Sequence, residues 1–403
     1  MRAHVKTALA AAVAAGATAM LGLTGVSAAT ASPATGTPAP PAGANSVTWV
    51  SATRGWVLGQ WACSKGGKSV CTQVLGTGNA GKTWKPLATL PVKIAAARPG
   101  GIFIPGISEI KFANAEDGWV YGSYPTMYRT VNGGKTWTAE PVPGGGKQMY
   151  YIAATPTGFY GMTSACTNGV TKRCEAKGLS LWRTGLTGTS WTKLYHTLPF
   201  NVPGGAYLTA LGKTVYVVDG DMTTLGKGLF LVSTDSGARF VTRISPCSTG
   251  SPEYSEMTEA VPQNGTTVFM LCVGNPGLSK SMQSVYESSN NGRTDHFDGQ
   301  LTSPAVAPFA WGIQAQLAVS PTGNLAVAAS SDGTFMYIKV GAMKNWKMLF
   351  GWGEVASPGW NDLAWVSGTE AWAVYSPVST PVPLGELFHA TKAFARYKTI
   401  TLG

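Results

Sequence analysis

The chain has 403 residues, only 12% of them charged, and it contains 51 glycines and 14 tryptophans. This composition disfavours a helical protein and an intrinsically disordered one. The formal net charge of +11 favours acidic partners such as anionic wall polymers, membrane surfaces or acidic proteins. Because the basic residues are scattered rather than clustered, nucleic-acid binding is not expected.

Residues 1–31 have the pattern of a secretory signal peptide. Two basic residues precede an apolar run over about residues 7–26, and small residues then offer cleavage sites near Ala28 and Ala31. A membrane anchor is the alternative, but the run is Ala-rich and weakly apolar, and no cysteine follows it for lipid attachment. We therefore expect a secreted, extracellular protein without a membrane anchor. Loss of Arg2 and Lys6 lowers the net charge from +11 to +9.

Residues 32–46 (SPATGTPAPPAGANS) offer little to bury, so the sequence predicts a disordered Pro/Ala/Thr-rich spacer there. The predicted folded region then covers residues 47–403. The Ala- and Gly-rich export segment is typical of a high-GC Gram-positive source.

The stretch GTGNAGKT at residues 76–83 matches the G-x-x-x-x-G-K-[ST] pattern of a phosphate-binding P-loop. The stretch, however, is the first copy of a repeat. Clean copies lie at 77–84 and 130–137, altered copies at 184–191, 233–240 and 288–295, and faint copies end at Trp346 and Tyr397, with a spacing of about 52 residues. The second clean copy has Arg129 where a P-loop requires glycine. The sequence therefore predicts no nucleotide site and no cofactor.

A second repeat alternates with the first. It is a turn followed by an aromatic or aliphatic strand, and its seven copies lie at 54–59, 117–122, 157–162, 213–218, 266–271, 323–328 and 370–375. Short β-rich units with a period near fifty residues are typical of a β-propeller, in which each unit is one four-stranded blade. We therefore predict an all-β fold, a single seven-bladed β-propeller of four-stranded antiparallel blades.

The first repeat resembles the Asp-box, or BNR repeat, of sialidases, sortilin-type propellers and photosystem II stability and assembly factors. The resemblance implies a hairpin between the third and fourth strands of each blade. There an Asx side chain accepts turn N–H groups, a glycine adopts angles that other residues disfavour, and an aromatic ring is buried between blades. The structural residues implied are Asn79, Gly81, Trp84, Asn132, Gly134, Trp137, Gly188, Trp191, Asp235 and Gly237. Three copies depart from the pattern, with Leu186, Arg239 and Asp295 at key positions.

The chain has six cysteines, an even number that suggests disulfides in an exported protein. Two neighbouring pairs have the same spacing of eight residues. The predicted pairs are Cys63–Cys71, Cys166–Cys174 and Cys247–Cys272. A zinc site is the alternative, but there is no C-x-x-C spacing and the few histidines are distant in sequence, so no metal is expected.

Long connections are predicted at one end of the ring, formed by the links between second and third strands and between successive blades. In propellers that resemble this one, ligands bind at that end. Aromatic rings there can stack on sugars or anchor a protein, and basic side chains can attract an anionic polymer. The alternative is that several of these rings fill the ends of the blades and have a structural role only. The candidate ligand-binding residues are Trp61, Lys65, Lys68, Arg98, Tyr124, Arg173, Trp311, Trp352 and Trp360.

The catalytic motifs of sialidases are absent, since RPGGIFIP at 98–105 is only a scrambled form of F/Y-R-I-P. Other glycosidases need two carboxylates, about 5 Å apart for retention or roughly 6.5–9.5 Å apart for inversion. The weak catalytic candidates are Asp219, Asp221, Glu253, Glu256 and Glu259, and a polar turn explains the first two equally well.

The sequence therefore favours a monomeric, secreted, non-catalytic binding or scaffold protein. Its expected partner is an extracellular or cell-wall polysaccharide or an exported protein. The alternative is a glycoside hydrolase, sialidase-like or another exo-glycosidase, with a carboxylate pair at the long-loop end. An assembly or stability role for an envelope complex is a third possibility that rests on fold analogy alone.

Overall fold

The computed structural model describes residues 43–64, 69–98, 102–165, 178–198, 206–219, 229–248, 255–274, 283–301, 314–330, 334–352, 359–376, 385–400 and 402. They form seven four-stranded antiparallel sheets and one two-stranded sheet. This confirms the predicted seven-bladed β-propeller.

The first four blades follow the chain order. Blade 1 contains β1 (Gly43–Trp49), β2 (Gly55–Ala62), β3 (Val70–Thr77) and β4 (Lys85–Leu90). A small hairpin of β5 (Ala96–Arg98) and β6 (Ile102–Ile104) follows, and the sequence did not predict it. Blade 2 contains β7 (Ile107–Phe112), β8 (Asp117–Gly122), β9 (Thr126–Val131) and β10 (Thr138–Pro141); blade 3 contains β11 (Gln148–Thr155), β12 (Gly158–Ser164), β13 (Leu179–Gly185) and β14 (Thr192–Leu198); blade 4 contains β15 (Ala206–Leu211), β16 (Thr214–Asp219), β17 (Leu229–Ser233) and β18 (Val241–Arg243).

The last three blades repeat the arrangement. Blade 5 contains β19 (Ser255–Pro262), β20 (Val268–Gly274), β21 (Gln283–Ser288) and β22 (His296–Leu301); blade 6 contains β23 (Gln314–Val319), β24 (Leu325–Ser330), β25 (Thr334–Lys339) and β26 (Lys347–Trp352); blade 7 contains β27 (Gly359–Trp365), β28 (Ala371–Ser376), β29 (Glu386–Thr391) and β30 (Arg396–Ile400). Short 3-10 turns lie at Pro143–Gly145 and Pro246–Ser248. Among the described residues no helix is long and apolar enough to span a membrane.

Within each blade the strands are paired in sequence order, and the first strands of neighbouring blades lie against one another at the centre of the ring. The second strands are covered by a blade on each side. Every residue of Asp117–Gly122, Gly158–Ser164 and Val268–Gly274 is therefore buried. This explains why these segments are mainly apolar, with polar residues only at their ends, instead of alternating with polar residues as strands with one solvated face do.

Blades 7 and 1 close the ring without exchanging a strand, because each blade is built from one continuous stretch of chain. The backbones of Ala44 and Gly385 exchange two hydrogen bonds of 2.8 and 2.7 Å. The indole Nε1 of Trp61 donates to the carbonyl oxygen of Leu402 at 3.0 Å. The ring of Trp372, in blade 7, lies 4.9 Å from that of Trp49, in blade 1. Closure therefore depends on packing and hydrogen bonds at this one junction.

The first repeat forms hairpins between the third and fourth strands, as predicted. In the first hairpin the Thr77 hydroxyl accepts the N–H of Gly81 at 3.1 Å, and Asn79 Oδ1 accepts the N–H of Thr83 at 3.0 Å. Ala80 and Gly81 both have positive φ, of 59° and 70°. The P-loop-like stretch is therefore a strand, a tight turn and another strand, without the helix that a phosphate site requires.

The same bonds recur in the hairpins that begin at Thr130, Ser233 and Ser288. In the hairpin of blade 3, Leu186 replaces the Asx acceptor, and the Thr184 hydroxyl donates instead to the carbonyls of Gly188 and Ser190. The hairpin is kept although its bonds differ, because the flanking strands still pair.

The aromatic residue that ends each clean copy packs at a blade boundary. Trp84 lies edge-on to both Trp49 and Trp372, with ring centroids 5.7 and 6.1 Å away. Trp137 is edge-on to Phe112. Both rings are half-buried and pack against the core clusters of blades 1, 2 and 7.

Two of the three predicted disulfides, Cys63–Cys71 and Cys247–Cys272, are formed. The third pair, Cys166 and Cys174, lies outside the described residues. Residues 43–46, which were expected to belong to the spacer, form the start of β1. They are ordered because Ala44 pairs with blade 7 and because Ser46 is fully buried between blades 1 and 2.

Candidate functional site in the central channel

The first strand of each blade presents one side chain towards the centre of the ring. In β1, β7, β11, β19 and β27 this residue directly follows a β-bulge. A bulge re-aims the side chains next to it and is frequent near functional sites. We call the seven side chains the inner ring: Ser46, Glu109, Tyr151, Tyr207, Glu259, Gln316 and Asp362.

Part of the inner ring ties neighbouring blades together. Asp362 Oδ2 accepts the N–H of Val47 at 2.9 Å, and Ser46 Oγ accepts the N–H of Ile110 at 3.1 Å. Glu259 Oε2 accepts the N–H of Leu317 at 2.6 Å. In each case a side chain of one blade satisfies a backbone donor on the first strand of the next. These bonds give the inner ring a structural role that is independent of any ligand.

The centre of the ring contains a cavity of about 330 Å³. All inner-ring residues except Ser46 line it, together with Lys111 of β7 and Tyr121 of β8. The rings of Tyr151 and Tyr207 are in edge contact, with centroids 5.3 Å apart. The cavity therefore combines charged groups with aromatic surface, as small-molecule and peptide sites often do.

The carboxyl groups of the cavity are strongly perturbed. Burial, followed by the negative charge of Asp362, raises the pKa of Glu109 to about 8, against the opposing effects of Lys111 and the Ser46 hydroxyl. Burial likewise raises the pKa of Glu259 to about 8, against the effect of the Leu317 hydrogen bond. At neutral pH both groups are therefore mainly protonated.

The basic group and the tyrosines of the cavity are also shifted. Burial alone lowers the pKa of Lys111, but the charges of Asp362 and Glu109 outweigh burial and leave it raised. Its Nζ lies 3.6 Å from Asp362 Oδ1. Burial, followed by the neighbouring acids, raises the pKa of Tyr121, Tyr151 and Tyr207 well above the usual value, so these residues stay neutral.

These contacts limit the chemistry that the site can perform. Both oxygens of Asp362 are engaged, one by Lys111 and the other by a backbone N–H. Glu109 and Glu259 hold protons at neutral pH. A glycosidase needs one ionised carboxylate that is free to act as nucleophile or base beside a protonated acid. The described cavity supplies two protonated carboxyl groups, and its third carboxyl group, that of Asp362, already has both oxygens engaged.

The structure places the residues proposed from sequence in several environments. Trp61 and Trp360 are each only 6% exposed and belong to the packing between blades, whereas Tyr124 is exposed. Asp219 and Glu256 are buried at the end of β16 and the start of β19. None of these five residues lines the cavity.

The remaining sequence candidates are not characterised at the level of their side chains. Arg98 lies in β5 and Trp352 in β26, but their side chains are outside the described part of the structure. Lys65, Lys68, Arg173, Asp221, Glu253 and Trp311 lie outside the described residues altogether.

Most residues of the cavity escaped the sequence analysis, which named only Glu259 among them. The sequence nevertheless contained a pattern that could have identified them. Acidic or amide residues interrupt apolar first strands in ISEIKF (107–112), SEMTEAVP (255–262) and GWNDLAW (359–365). Once the seven blades are aligned, a polar residue on the innermost strand is expected to face the channel.

A possible cation cluster lies away from the channel. One ligand atom each of Glu287, His296 and Asp298 lies within 4.8 Å of the others on the outer part of blade 5. Asp298, however, already pairs with Lys339 at 2.6 Å, and His296 is mostly exposed. This cluster is therefore a weaker candidate than the cavity.

No family model matches the sequence, and no curated protein matches it. Several solved structures share its fold. YCF48 bound to D1 peptide aligns with 87% of this chain and 93% of its own, at 14% identity and a TM-score of 0.50. Saccharomyces cerevisiae Sqt1 aligns with 90% of this chain and 86% of its own, at 9% identity and a TM-score of 0.50.

A puromycin-hydrolyzing peptidase of Mycobacterium tuberculosis aligns with 89% of this chain but only 53% of its own length, at 13% identity and a TM-score of 0.53. At such low identities the likeness extends to the fold and no further. The chain therefore shares a β-propeller fold with proteins that differ widely from one another.

Proposed function

We propose that this protein is a secreted Asp-box β-propeller that binds, without catalysing a reaction, an extracellular partner in or around its central channel. The partner is an exported protein or a cell-wall glycan. The observation that carries this proposal is the cavity of about 330 Å³, where acidic and aromatic side chains from five blades converge. Among them is Asp362, whose two carboxylate oxygens already contact Lys111 and the backbone N–H of Val47.

Three further observations support the proposal. The recurring hairpin bonds at Thr77, Thr130, Ser233 and Ser288 fit the role of an Asp-box. The two disulfides fit an oxidising environment outside the cytosol. A ring held together at every blade boundary is also pre-organised, which reduces the entropy lost on binding.

The competing candidate is a glycoside hydrolase that uses the same cavity. Glu109 is mainly protonated and lies in the field of Asp362, which resembles the pairing of an acid with an ionised carboxylate in such enzymes. The Lys111 and Val47 contacts of Asp362 argue against this function, because attack on a sugar would require one of these contacts to break.

The test is a pull-down of the full chain on purified cell wall, on insoluble polysaccharides and on an extract of exported proteins, with released sugar assayed in each supernatant. We expect retention without sugar release. Glu259→Gln should weaken retention, whereas Glu116→Gln, in an exposed turn between β7 and β8, should not. Sugar release that disappears in Glu109→Gln would establish the hydrolase and refute the proposal. Equal thermal stability of the two Gln variants at pH 5 would show that the comparison is between folded proteins.

A further inference from the structure

Several polar atoms at the cavity lack partners. The described hydrogen bonds of Glu109 and Glu259 engage only Oε2 of each, which leaves Oε1 of both without a hydrogen bond. The Tyr121 hydroxyl belongs to a residue that is 1% exposed, and it lies beside the Ile152 backbone without reaching hydrogen-bond geometry. A buried polar group without a partner is costly, so these atoms indicate a site for a ligand that donates hydrogen bonds.

The charges around the cavity indicate the sign of that ligand. The groups that face it are Glu109, Lys111, Glu259 and Asp362, together with the neutral tyrosines. Lys111 lies 3.6 Å from Asp362 and also interacts with Glu109, so Glu259 is the acid of the cavity that has no basic partner among the described residues. This is notable in a chain whose net charge is +11, because basic residues outnumber acidic ones overall. The centre of the ring therefore favours a cation.

The size and walls of the cavity indicate which kind of cation. A volume of about 330 Å³ is far larger than the roughly 30 Å³ that one water occupies in the liquid, so a bare metal ion would leave most of it unfilled. The rings of Tyr151 and Tyr207 provide apolar surface and electron-rich faces, which attract an ammonium group and its methylene stem.

We propose that the ligand of this cavity presents a primary ammonium group on an aliphatic stem, with the ammonium held by Glu259 and the stem lying against Tyr151 and Tyr207. This inference rests on the proposed function, since it specifies the chemistry of the group that the binding propeller accepts. Such a group is found both on free alkyl amines and on lysine side chains of a protein partner.

Binding of the cation is coupled to proton release. At neutral pH Glu259 holds a proton, and the arriving ammonium favours its ionised carboxylate. Up to one proton then passes to the solvent for each ammonium bound, and no carbon bond changes. Affinity should rise with pH up to about 8.5 and fall again near pH 10, where the amine itself loses its proton.

The experiment is isothermal titration of the full chain with cadaverine at pH 6.5 and 8.5, repeated in phosphate and HEPES buffers, whose heats of ionisation differ and neither of which contains a primary amine. We expect binding at least about tenfold tighter at pH 8.5, because Glu259, with a pKa of about 8, is then mostly ionised. The heat should depend on the buffer, which reports the released protons. The neutral analogue 1-pentanol should bind at least about tenfold more weakly than cadaverine.

Two variants test whether cadaverine binds in this cavity or is attracted to acidic residues elsewhere on the protein. Glu259→Gln should weaken cadaverine binding at pH 8.5 by at least about tenfold, and Glu116→Gln should leave it unchanged. The second ligand is a peptide with blocked termini and one internal lysine. If the peptide binds more tightly than cadaverine, the ammonium group belongs to a lysine of a protein partner. If cadaverine binds more tightly, the ammonium group belongs to a free alkyl amine. Equal binding of pentanol, or unchanged binding by Glu259→Gln, would overturn the inference.

The two proposals can fail separately. If a partner is retained in the pull-down and cadaverine neither binds nor competes with it, the ammonium site is wrong and the binding function stands. If cadaverine binds as described and no partner is retained on any support, the binding function as proposed fails while the ammonium site stands.

Discussion

The hairpins at the outer part of the blades and the inner ring at the centre follow opposite patterns. Four hairpins repeat the same chemistry, with a hydroxyl at the first position that accepts the N–H of the fifth. The seven inner-ring positions are occupied by five residue types. The hairpin residues repeat from blade to blade because every blade needs them in order to fold. The inner-ring residues vary because the fold does not require one residue type at these positions.

The two regions also differ in the range of their interactions. A hairpin satisfies its own backbone within eight residues, so each copy is locally complete. An inner-ring side chain satisfies a backbone donor on another blade, as Glu259 does for Leu317 at a separation of 58 residues and Asp362 does for Val47 at a separation of 315. Substitutions in the hairpins should therefore affect stability, and those in the inner ring should mainly affect binding and its dependence on pH.

The largest expected effect is in a hairpin, at Gly81. A Cβ atom there would lie 2.4 Å from the Trp372 ring, and the φ of 70° disfavours any other residue. Gly81→Ala should therefore lower the free energy of unfolding by roughly 3 kcal/mol, since it combines backbone strain with overpacking at the junction of blades 7 and 1.

Gly78→Ala is the matched control, because no atom lies within 4 Å of the added Cβ. It should change stability by less than about 0.5 kcal/mol. Chemical denaturation of both variants measures the difference. Equal stabilities would mean that the first hairpin is not packed on Trp372.

An intermediate effect is expected from the hairpin hydroxyl of blade 2. Thr130→Val removes the group that accepts the N–H of Gly134 at 3.0 Å and donates to Asn132. The residue is buried, so the orphaned N–H should cost about 1–2 kcal/mol. Thr138→Val, at an exposed position of β10 without such bonds, should be close to neutral. A loss of similar size in both variants would contradict the hairpin role.

The smallest effect on stability is expected in the inner ring, and it should depend on pH. The pKa of Glu259 is raised from 4.5 to about 8 in the folded state, so the folded protein binds more protons than the unfolded chain between these values. This contribution to stability is complete below about pH 4.5 and is lost as pH rises through about 8.

Glu259→Gln removes this titration. The variant should therefore gain about 1 kcal/mol relative to the parent chain between pH 6 and 8, and it should match the parent more closely at pH 5. Thermal unfolding at the three pH values measures this. A parent chain and variant with parallel pH profiles would show that Glu259 titrates normally.

The sequence alone determined the architecture because the signals for it are local and repeated. The hairpins at 77–84 and 130–137 carry their own turn residues, and the apolar second strands mark each blade. Cys63–Cys71 was predicted correctly from its spacing, and Cys247–Cys272 was predicted correctly as the remaining pair. Trp61 and Trp360 were proposed as ligand contacts because their loop positions suggested exposure, but their rings are used between blades.

Only the tertiary structure decided where the cavity lies. Glu109, Glu259 and Asp362 are separated by about 100 to 250 residues in the chain, and their neighbouring residues show only that each interrupts an apolar strand, not that these strands meet around one cavity. Closing seven blades into a ring brings their first strands together, and burial at the centre then shifts the pKa of two of these acids to about 8. The sequence determines the blades through local chemistry, and the closed ring creates the site through long-range convergence and loss of solvent.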